Sequence, residues 1–560
     1  MPNTPAFSLL WPAGAPLSQH CVPIDPQCVR DLEFESTLAA LLERPRGRSA
    51  VHDMCLTLCT DPAVITYRQD IFADLWQTPD FRTHLEALLP DLRALEMPYV
   101  AGDRKRVPLQ DVAWRLGELE HLVTCVNGLH AVFAQAGARL RATGWQALRE
   151  RVTHIAQDAV YQHLCQALPE MVRLVRAKAS VTIGVNLDTQ LRPVAATLLA
   201  VNDQQFTTST FLERLFGSHD NAFKGMGPLH TVPTLAQLPT GTGGAKGHHD
   251  MNPLMVPLFH DVARVLESVC QPVARALRQY DGLHSGFLAT LHGDLTFYLG
   301  AVRLIARLQQ NGLPVCRPVL APMDERVCEL QEAYNLNLAL QQMAHTDAPV
   351  AVVTNDVAMD AQGRIGIITG PNRGGKTTYT QMVGLCQLLA QLGLWVPAAR
   401  ARISPVDNVY THYPVAEQAV KGTGRFGDEA QRLRQIFAQS TRHSLILLNE
   451  SLASTSAGES LYMAKDIVRL LRRLGVRALF ATHLHALAAD VAELNASIEG
   501  ESRIVSLVAS REERRDGAPQ RSYKIVPGTP LGHSYAREIA AQYGMSYDQL
   551  TELLQQRGMV

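Results

Sequence analysis

The sequence predicts an α/β fold with a mostly parallel sheet flanked by helices, preceded by a largely α-helical region that carries one small β hairpin. Three observations predict it. Residues 365–378, Ile-Gly-Ile-Ile-Thr-Gly-Pro-Asn-Arg-Gly-Gly-Lys-Thr-Thr, pass from an apolar β-like run through a glycine-rich turn into a helical stretch. After Gly312-Leu-Pro314, short apolar runs alternate with helical stretches of about ten to twenty residues, as a largely parallel sheet requires. Between Asp31 and Gln310 the apolar residues recur instead at helical spacing, and the period switches to two only near Ser180.

Composition bounds the reading. The 560 residues allow about three or four domains of ordinary size. A net charge of −1 gives no global attraction to nucleic acid or anionic membrane, so any DNA contact needs a local patch. Of the ten cysteines the close pair Cys55 and Cys59 lies one helical turn apart with no second pair to complete a metal site, so reduced, buried thiols are expected. No run approaches the ~20 apolar residues of a membrane span, and Met1–Leu10 lacks a basic segment followed by an apolar core. A cytoplasmic location with no membrane association is the expectation.

In chain order, Leu38, Leu41 and Leu42 recur at helix spacing, and Asp61-Pro62 caps the stretch containing Tyr67-Arg68-Gln69-Asp70-Ile71. Leu140, Leu148, Val152, Ile155, Val160 and Leu164 continue the helical pattern to about Lys178. Ser180–Leu187 and Val194–Val201 read as a hairpin, and the Gly-, Pro-, Thr- and His-rich stretch 217–253 as a mobile loop. Helical periodicity resumes over Leu258–Gln310. Strands are expected at Ile365–Thr369, Leu445–Leu448 and Ala478–Ala481, with helices from Thr377, after Gly427, and from Glu459 to a stop at Gly475. Ile504–Ala509 and Tyr523–Val526, separated by Asp516-Gly517, read as an antiparallel hairpin added to that sheet, and an amphipathic helix follows from Asp548.

The spacing Gly370-x-x-x-x-Gly375-Lys376-Thr377 between strand and helix is that of a nucleotide-binding P-loop. Across Gly370, Pro371, Asn372, Arg373, Gly374, Gly375, Lys376, Thr377 and Thr378, backbone N–H groups and the helix N-terminus are set to wrap phosphate oxygens. Lys376 reaches the outer phosphates and Thr377 meets Mg²⁺, so ATP and Mg²⁺ are the expected cofactors. Glu450, at the carboxyl end of Ser444-Leu-Ile-Leu-Leu-Asn449, orients and deprotonates the attacking water. The expected metal set is Thr377, Asn449 and Glu450, and Asn449, a neutral amide where an Asp is usual, supplies no charge to Mg²⁺. His483, ending Ala478-Leu-Phe-Ala-Thr, is either a γ-phosphate sensor or an ordinary strand-end residue. The catalytic set is therefore Lys376, Glu450 and His483.

Gly370–Thr378, followed by Trp395-Val-Pro-Ala-Ala-Arg-Ala-Arg-Ile-Ser-Pro-Val-Asp407, resembles the ATPase domain of MutS DNA mismatch-repair proteins. Thr354-Asn355-Asp356, Asn449-Glu450 with Ser454-Thr455-Ser456, Ala481-Thr482-His483, Tyr523-Lys-Ile-Val-Pro-Gly528 and Ser534-Tyr535 extend that similarity over most of the chain after Gly312. The resemblance implies that Asn355 contacts nucleotide. Asp61-Pro62 and Arg68-Gln69-Asp70 resemble the family's helical core and lever, and the Ser180–Val201 hairpin falls where the family has its DNA-clamping tip. The organisation implied is an N-terminal extension (1–30), a helical core/lever region (31–312) with a clamp-like hairpin and flexible insertion at about 180–253, and a P-loop ATPase domain (313–560). Set beside that family, the short segment before Asp31 is not expected to hold its mismatch-recognition domain, nor is a nuclease domain expected after the ATPase region.

The resemblance also implies a homodimer with ATP sites shared between chains. In Gly424-Arg425-Phe426-Gly427-Asp428-Glu429 the family's Ser-Thr pair is replaced by Gly-Arg, and Arg425 is either a charge on the partner's γ-phosphate or a solvated residue. Tyr334 stacks on adenine or packs in the core. The expected function is a dimeric ATPase acting as a clamp on DNA in repair or recombination, specific for DNA structure and not for mismatches. The alternative is a non-catalytic or very slow ATP-dependent scaffold that docks a protein partner. Gly422–Gly427 matches a dinucleotide pattern without a preceding strand, and Gly532–Ala536 misses the hydrolase elbow. His248-His249-Asp250 lacks fixed metal spacing, and Arg469, Arg472, Arg473 and Arg477 form either a solvated face or a phosphate-binding surface.

Overall fold

The computed structural model describes residues 7–15, 21–42, 50–96, 108–137, 139–176, 180–190, 193–202, 271–280, 283, 286–345, 350–414, 424–452, 454, 456–513, 519–530 and 544–559. The chain is mixed α/β and divides into two compact units. One comprises Met1–Arg82, Ala138–Trp145 and Gly293–Val560, the other Thr83–Gly137 and Gln146–His292.

In the second unit, the helix Pro108–Ala136 packs beside Ala159–Arg176, where Tyr161 donates to Asn127 Oδ1 at 3.0 Å. Gly128 permits close packing, since a β-carbon there would lie 2.6 Å from Leu88 Cδ2. Strands Ser180–Leu187 and Pro193–Asn202 form the expected hairpin, antiparallel, with register shifts between Thr182 and Ile183 and between Asn186 and Leu187.

The first unit is organised by a sheet of β1 (Ile365–Thr369), β2 (Val409–His412), β3 (Leu445–Asn449), β4 (Arg477–Ala481), β5 (Ile504–Glu513) and β6 (Pro519–Pro527). Its order is β2-β3-β4-β1-β5-β6; the pairs are parallel except β5 with β6. Every residue of β1, β3 and β4 is buried, which is why these strands read as continuous apolar runs without alternation. Helices α1 (Lys376–Gln391), α2 (Gly424–Gln439) and α3 (Ala457–Leu474) separate the strands in sequence, and α3 stops at Gly475, whose φ of 78° suits glycine. Ile436, Ile446, Leu448, Val468, Leu471 and Phe480 join one core cluster.

Two features depart from the expectation. Thr57–Cys59 is a short strand paired with Cys21–Pro23, so Cys55 ends a helix while Cys59 lies in the strand, and the two are not one helical turn apart. A second sheet, ordered Val319–Leu320, Arg400–Ile403, Cys328–Ala333, Asn355–Met359, forms beside the main one from segments whose partners lie far away in sequence.

Three of the four clustered arginines take structural roles, while Arg473 is exposed. Arg477 is fully buried and donates to Val327 O at 2.6 Å and to Ser404 O and Pro405 O, fastening β4 to the second sheet; burial pulls it down to about 10. Arg472 caps the carbonyls of Asn495, Ile498 and Ser502, and Arg469 pairs with Asp466 at 3.0 Å. Among the described residues no helix is long and apolar enough to cross a membrane.

Candidate functional site

After Thr369 the chain turns through Gly370 (φ 145°) and Arg373 (φ 60°) to Gly375 (φ 93°), and α1 begins at Lys376. A β-carbon on Gly370 would lie 2.6 Å from Ala509 Cβ, so both backbone angle and space demand glycine. Gly375 offers no side-chain cap, so the first-turn amides of α1 keep their hydrogen-bonding capacity and the positive end of the helix dipole stands at the turn.

Lys376 is buried, and its Nζ donates to Gly370 O and Pro371 O, each at 3.1 Å. Burial lowers its pKa, and Glu450 opposes that shift. Thr377 Oγ1 donates to Asn449 Oδ1 at 3.1 Å, joining the start of α1 to the end of β3. Glu450 follows with a left-handed φ of 49°, its N–H bonded to Ala481 O at 2.8 Å, so β4 holds the backbone that β3 releases. Its Oε1 lies 2.8 Å from His483 Nε2, just beyond the end of β4. That hydrogen bond, with the charges of His483 and Lys376, holds the Glu450 carboxyl below the usual range against the opposing effect of burial.

Lys376, Thr377 and Glu450 border an open cavity of about 500 Å³. Its other wall carries Asn335, Leu338, Gln342, Val353, Asn355 and Tyr523. Leu338, Val353 and Tyr523 leave apolar surface at the opening, 36%, 38% and 45% exposed. Asn355 supports the wall: its Nδ2 donates to Tyr523 O at 3.1 Å and its Oδ1 accepts from Ile525 N at 2.7 Å.

The donor set fits a nucleotide with a hard divalent cation. Among the described residues no carboxylate forms an ion pair with Lys376, so a buried ammonium rests on carbonyl oxygens beside a cavity and helix amides, where an anion completes the charge balance. Thr377 Oγ1, Asn449 Oδ1 and Glu450 present oxygen ligands, the chemistry Mg²⁺ selects.

Of the residues expected from sequence, Gly374, Gly375, Lys376, Thr377, Thr378 and Glu450 line the cavity; Asn449 joins them through Thr377 and His483 through Glu450. Gly370 and Pro371 contribute the carbonyls that hold Lys376, while Asn372 and Arg373 stand exposed at the turn, Arg373 also reaching the cavity lining. Tyr334 is fully buried outside the cavity lining, which is the core placement. The Arg425 side chain, Thr455, Ser534-Tyr535 and His248-His249-Asp250 lie outside the described residues. Leu338, Gln342 and Val353 carry no motif, and nothing local marks them as cavity wall.

Two family profiles match: MutS domain V over residues 366–546 and MutS2 N-terminal domain over 60–311. The chain belongs to the MutS family. The DNA mismatch repair protein MutS of Granulibacter bethesdensis is 27% identical over 494 residues, which cover 83% of this chain and 50% of that protein. MutS of Chloroflexus aurantiacus is 38% identical over 184 residues, 31% of this chain and 19% of that protein, and MutS of Chlorobium phaeobacteroides 33% over 231 residues, 41% and 25%. This MutS-family chain thus spans about half the length, or less, of the curated relatives it matches.

Proposed function

We propose that this chain is a P-loop ATPase whose α/β region (313–560) binds ATP with Mg²⁺ and whose helical region (31–312) converts nucleotide state into motion at the Ser180–Asn202 hairpin. The observation that carries the reading is that Glu450, bonded to His483 at 2.8 Å, lines one cavity together with Lys376 and Thr377. Bound ATP and Mg²⁺ supply the scissile anhydride and the charge that gathers its oxygens. Gly370–Thr378 holds the phosphates by backbone N–H groups, and Lys376 exchanges its carbonyl contacts for the outer phosphates. Thr377, Asn449 and Glu450 hold the cation. Glu450, its carboxyl held below the usual range, accepts a hydrogen bond from a water and points it, while His483 fixes the carboxylate by its hydrogen bond. Tyr523, Leu338 and Val353 exclude water from one side of the bound group.

In this reading the protein is a cytoplasmic homodimer that closes on DNA in repair or recombination, recognising DNA structure and not mismatches. The names of its relatives support a DNA repair context. A steady-state assay with wild type, Glu450→Ala and Asn449→Asp tests the enzyme. Wild type is expected to exceed Glu450→Ala by about 10²–10⁴-fold in kcat; equal rates would remove the ATPase. Binding to duplex, branched and single-stranded DNA, with and without ATP at two salt concentrations, tests the clamp, and absence of binding in every condition removes it.

One observation favours a second reading. Thr377 meets a neutral Asn449 at 3.1 Å, so the cation is balanced by one carboxylate fewer than an Asp would give. A scaffold that binds ATP to set its shape and docks a protein partner needs only that. A large acceleration in Asn449→Asp over a near-silent wild type supports the scaffold.

A further inference from the structure

Glu450 and the residues after it are held in a strained turn whose braces come from four other elements, β4, β2, α3 and α2. Glu450 and Leu452 are both left-handed, with φ of 49° and 68°, although neither is glycine. An L residue with a bulky side chain stays there only where its surroundings over-determine it. Four hydrogen bonds do so. Glu450 N donates to Ala481 O at 2.8 Å. Ser451 Oγ lies 2.7 Å from His412 Nδ1, at the end of the edge strand β2, with both side chains buried. Leu452 O accepts from Ser460 Oγ at 2.7 Å, and Leu452 N donates to Glu429 Oε2 on α2 at 3.1 Å. Leu452 is fully buried, so without Glu429 its N–H has no water to turn to.

The same helix is fastened to the strand that supplies His412. Arg432 of α2 donates to Thr411 O at 3.3 Å and to Asp25 Oδ2 at 2.8 Å. His412 is kept neutral by burial and by Arg432, which together lower it to about 4, so its ring serves as a fixed hydrogen-bond partner and carries no charge at neutral pH. The helix, the edge strand and the turn therefore form one braced unit, and a shift of α2 is passed directly to the backbone that aims Glu450.

We propose that Glu429, together with the His412–Ser451 pair, is a positioning element for Glu450: it holds the Glu450–Leu452 turn in its left-handed form and so sets where the carboxylate points. This rests on the reading of Glu450 as the water-orienting group. Glu429 touches no reacting atom; it acts through the Leu452 amide.

The test uses the full chain with Glu429→Ala, Glu429→Gln and Ser451→Ala, measuring kcat and KM for ATP, the Kd of a fluorescent ATP analogue, and hydrogen exchange of the Leu452 amide without nucleotide. Glu429→Ala is expected to lower kcat about 10–100-fold, since small misplacement of a catalytic group is sufficient for that loss. Its Kd should stay within about twofold, because the phosphate-binding turn is untouched. Exchange at Leu452 should accelerate about tenfold or more as the amide is released. Glu429→Gln keeps an acceptor oxygen and should restore both readings to within about threefold of wild type, and Ser451→Ala should lower kcat in the same sense by a smaller factor. An unchanged kcat in Glu429→Ala beside an active wild type overturns the proposal, as does Glu429→Gln as slow as Glu429→Ala. A wild type no faster than Glu450→Ala removes the role given to Glu450. The exchange data then decide the brace: release in Glu429→Ala but not in Glu429→Gln upholds it, and equal exchange in wild type, Glu429→Ala and Glu429→Gln overturns it.

Discussion

The Glu450 turn and the segment Ser8–Leu10 are both polar clusters within one unit, yet they are assembled in opposite ways. At the turn, the polar groups sit at the ends of neighbouring strands, where the sheet's parallel order presents them together. At Ser8–Leu10 the partners come from distant helices. Ser8 Oγ and Leu9 N both donate to Asp294 Oδ2, at 2.8 and 2.7 Å, Tyr298 donates to Leu9 O at 2.9 Å, and Arg68 Nε donates to Leu10 O at 2.8 Å. The Arg68 guanidinium also lies 4.2 Å over the Trp11 ring. The electrostatics differ accordingly. Glu450 is held low by an adjacent imidazole at a half-open site, whereas burial pushes Asp294 up to about 6. One cluster opens onto the cavity, the other seals the segment Ser8–Trp11 into the fold.

The comparison is broken most decisively at the open site. Glu450→Ala should reduce kcat by about 10²–10⁴-fold while leaving the denaturation midpoint nearly unchanged, because the side chain is partly exposed and holds little of the core. A large loss of stability would mean the two clusters share a structural role. At the sealed site, Arg68→Ala removes the Leu10 bond and the stack on Trp11 and leaves a void, so unfolding in urea should show about 3 kcal/mol of destabilisation with nucleotide affinity preserved.

The pH dependence sharpens the contrast. Asp294 has its folded pKa raised to about 6 from 3.8, so its contribution is fully present below pH 3.8 and is lost as pH rises through 6. His412 has its folded pKa lowered to about 4 from 6.5, so its contribution is fully present above pH 6.5 and is lost as pH falls through 4. Each amounts to about 3 kcal/mol, and between pH 4 and 6 they oppose one another. Relative to wild type, stability measured in urea across this window should climb more steeply with pH in Asp294→Asn and less steeply in His412→Asn; parallel curves for all three proteins would show that neither group titrates as its surroundings dictate. The smallest effect is local: Asp61→Ala removes the acceptor for Ala63 N at the start of Pro62–Gln77 and should lower stability by about 1 kcal/mol.

What was legible in the sequence follows the same division. β1, β3 and β4 could be read because their buried runs are continuous, and Lys376, Thr377, Asn449, Glu450 and His483 because each stands at a fixed offset from such a run. The cap at Asp61 and the stop at Gly475 are local chemistry and were equally readable. Cys21–Pro23 and Thr57–Cys59 were not, since three-residue strands have no periodicity to detect. The arginines of α3 and β4 looked like one charged face because helical spacing cannot reveal that Arg477 is fully buried against the carbonyls of Val327, Ser404 and Pro405.

By itself the sequence determined the longer elements and the residues of the glycine-rich turn, because glycine at a positive φ, a lysine at a helix start and an acid at a strand end are properties of a few consecutive residues. Only the tertiary structure decided which groups meet. Glu450 with His483, Leu452 with Glu429, and Leu9 with Asp294 are separated along the chain, and their pairing depends on strand order and helix docking. The same burial that joins them sets their charge. A carboxylate is a local fact, but whether it is ionised, as at Glu450, or pushed toward neutrality, as at Asp294, follows from what the fold places around it.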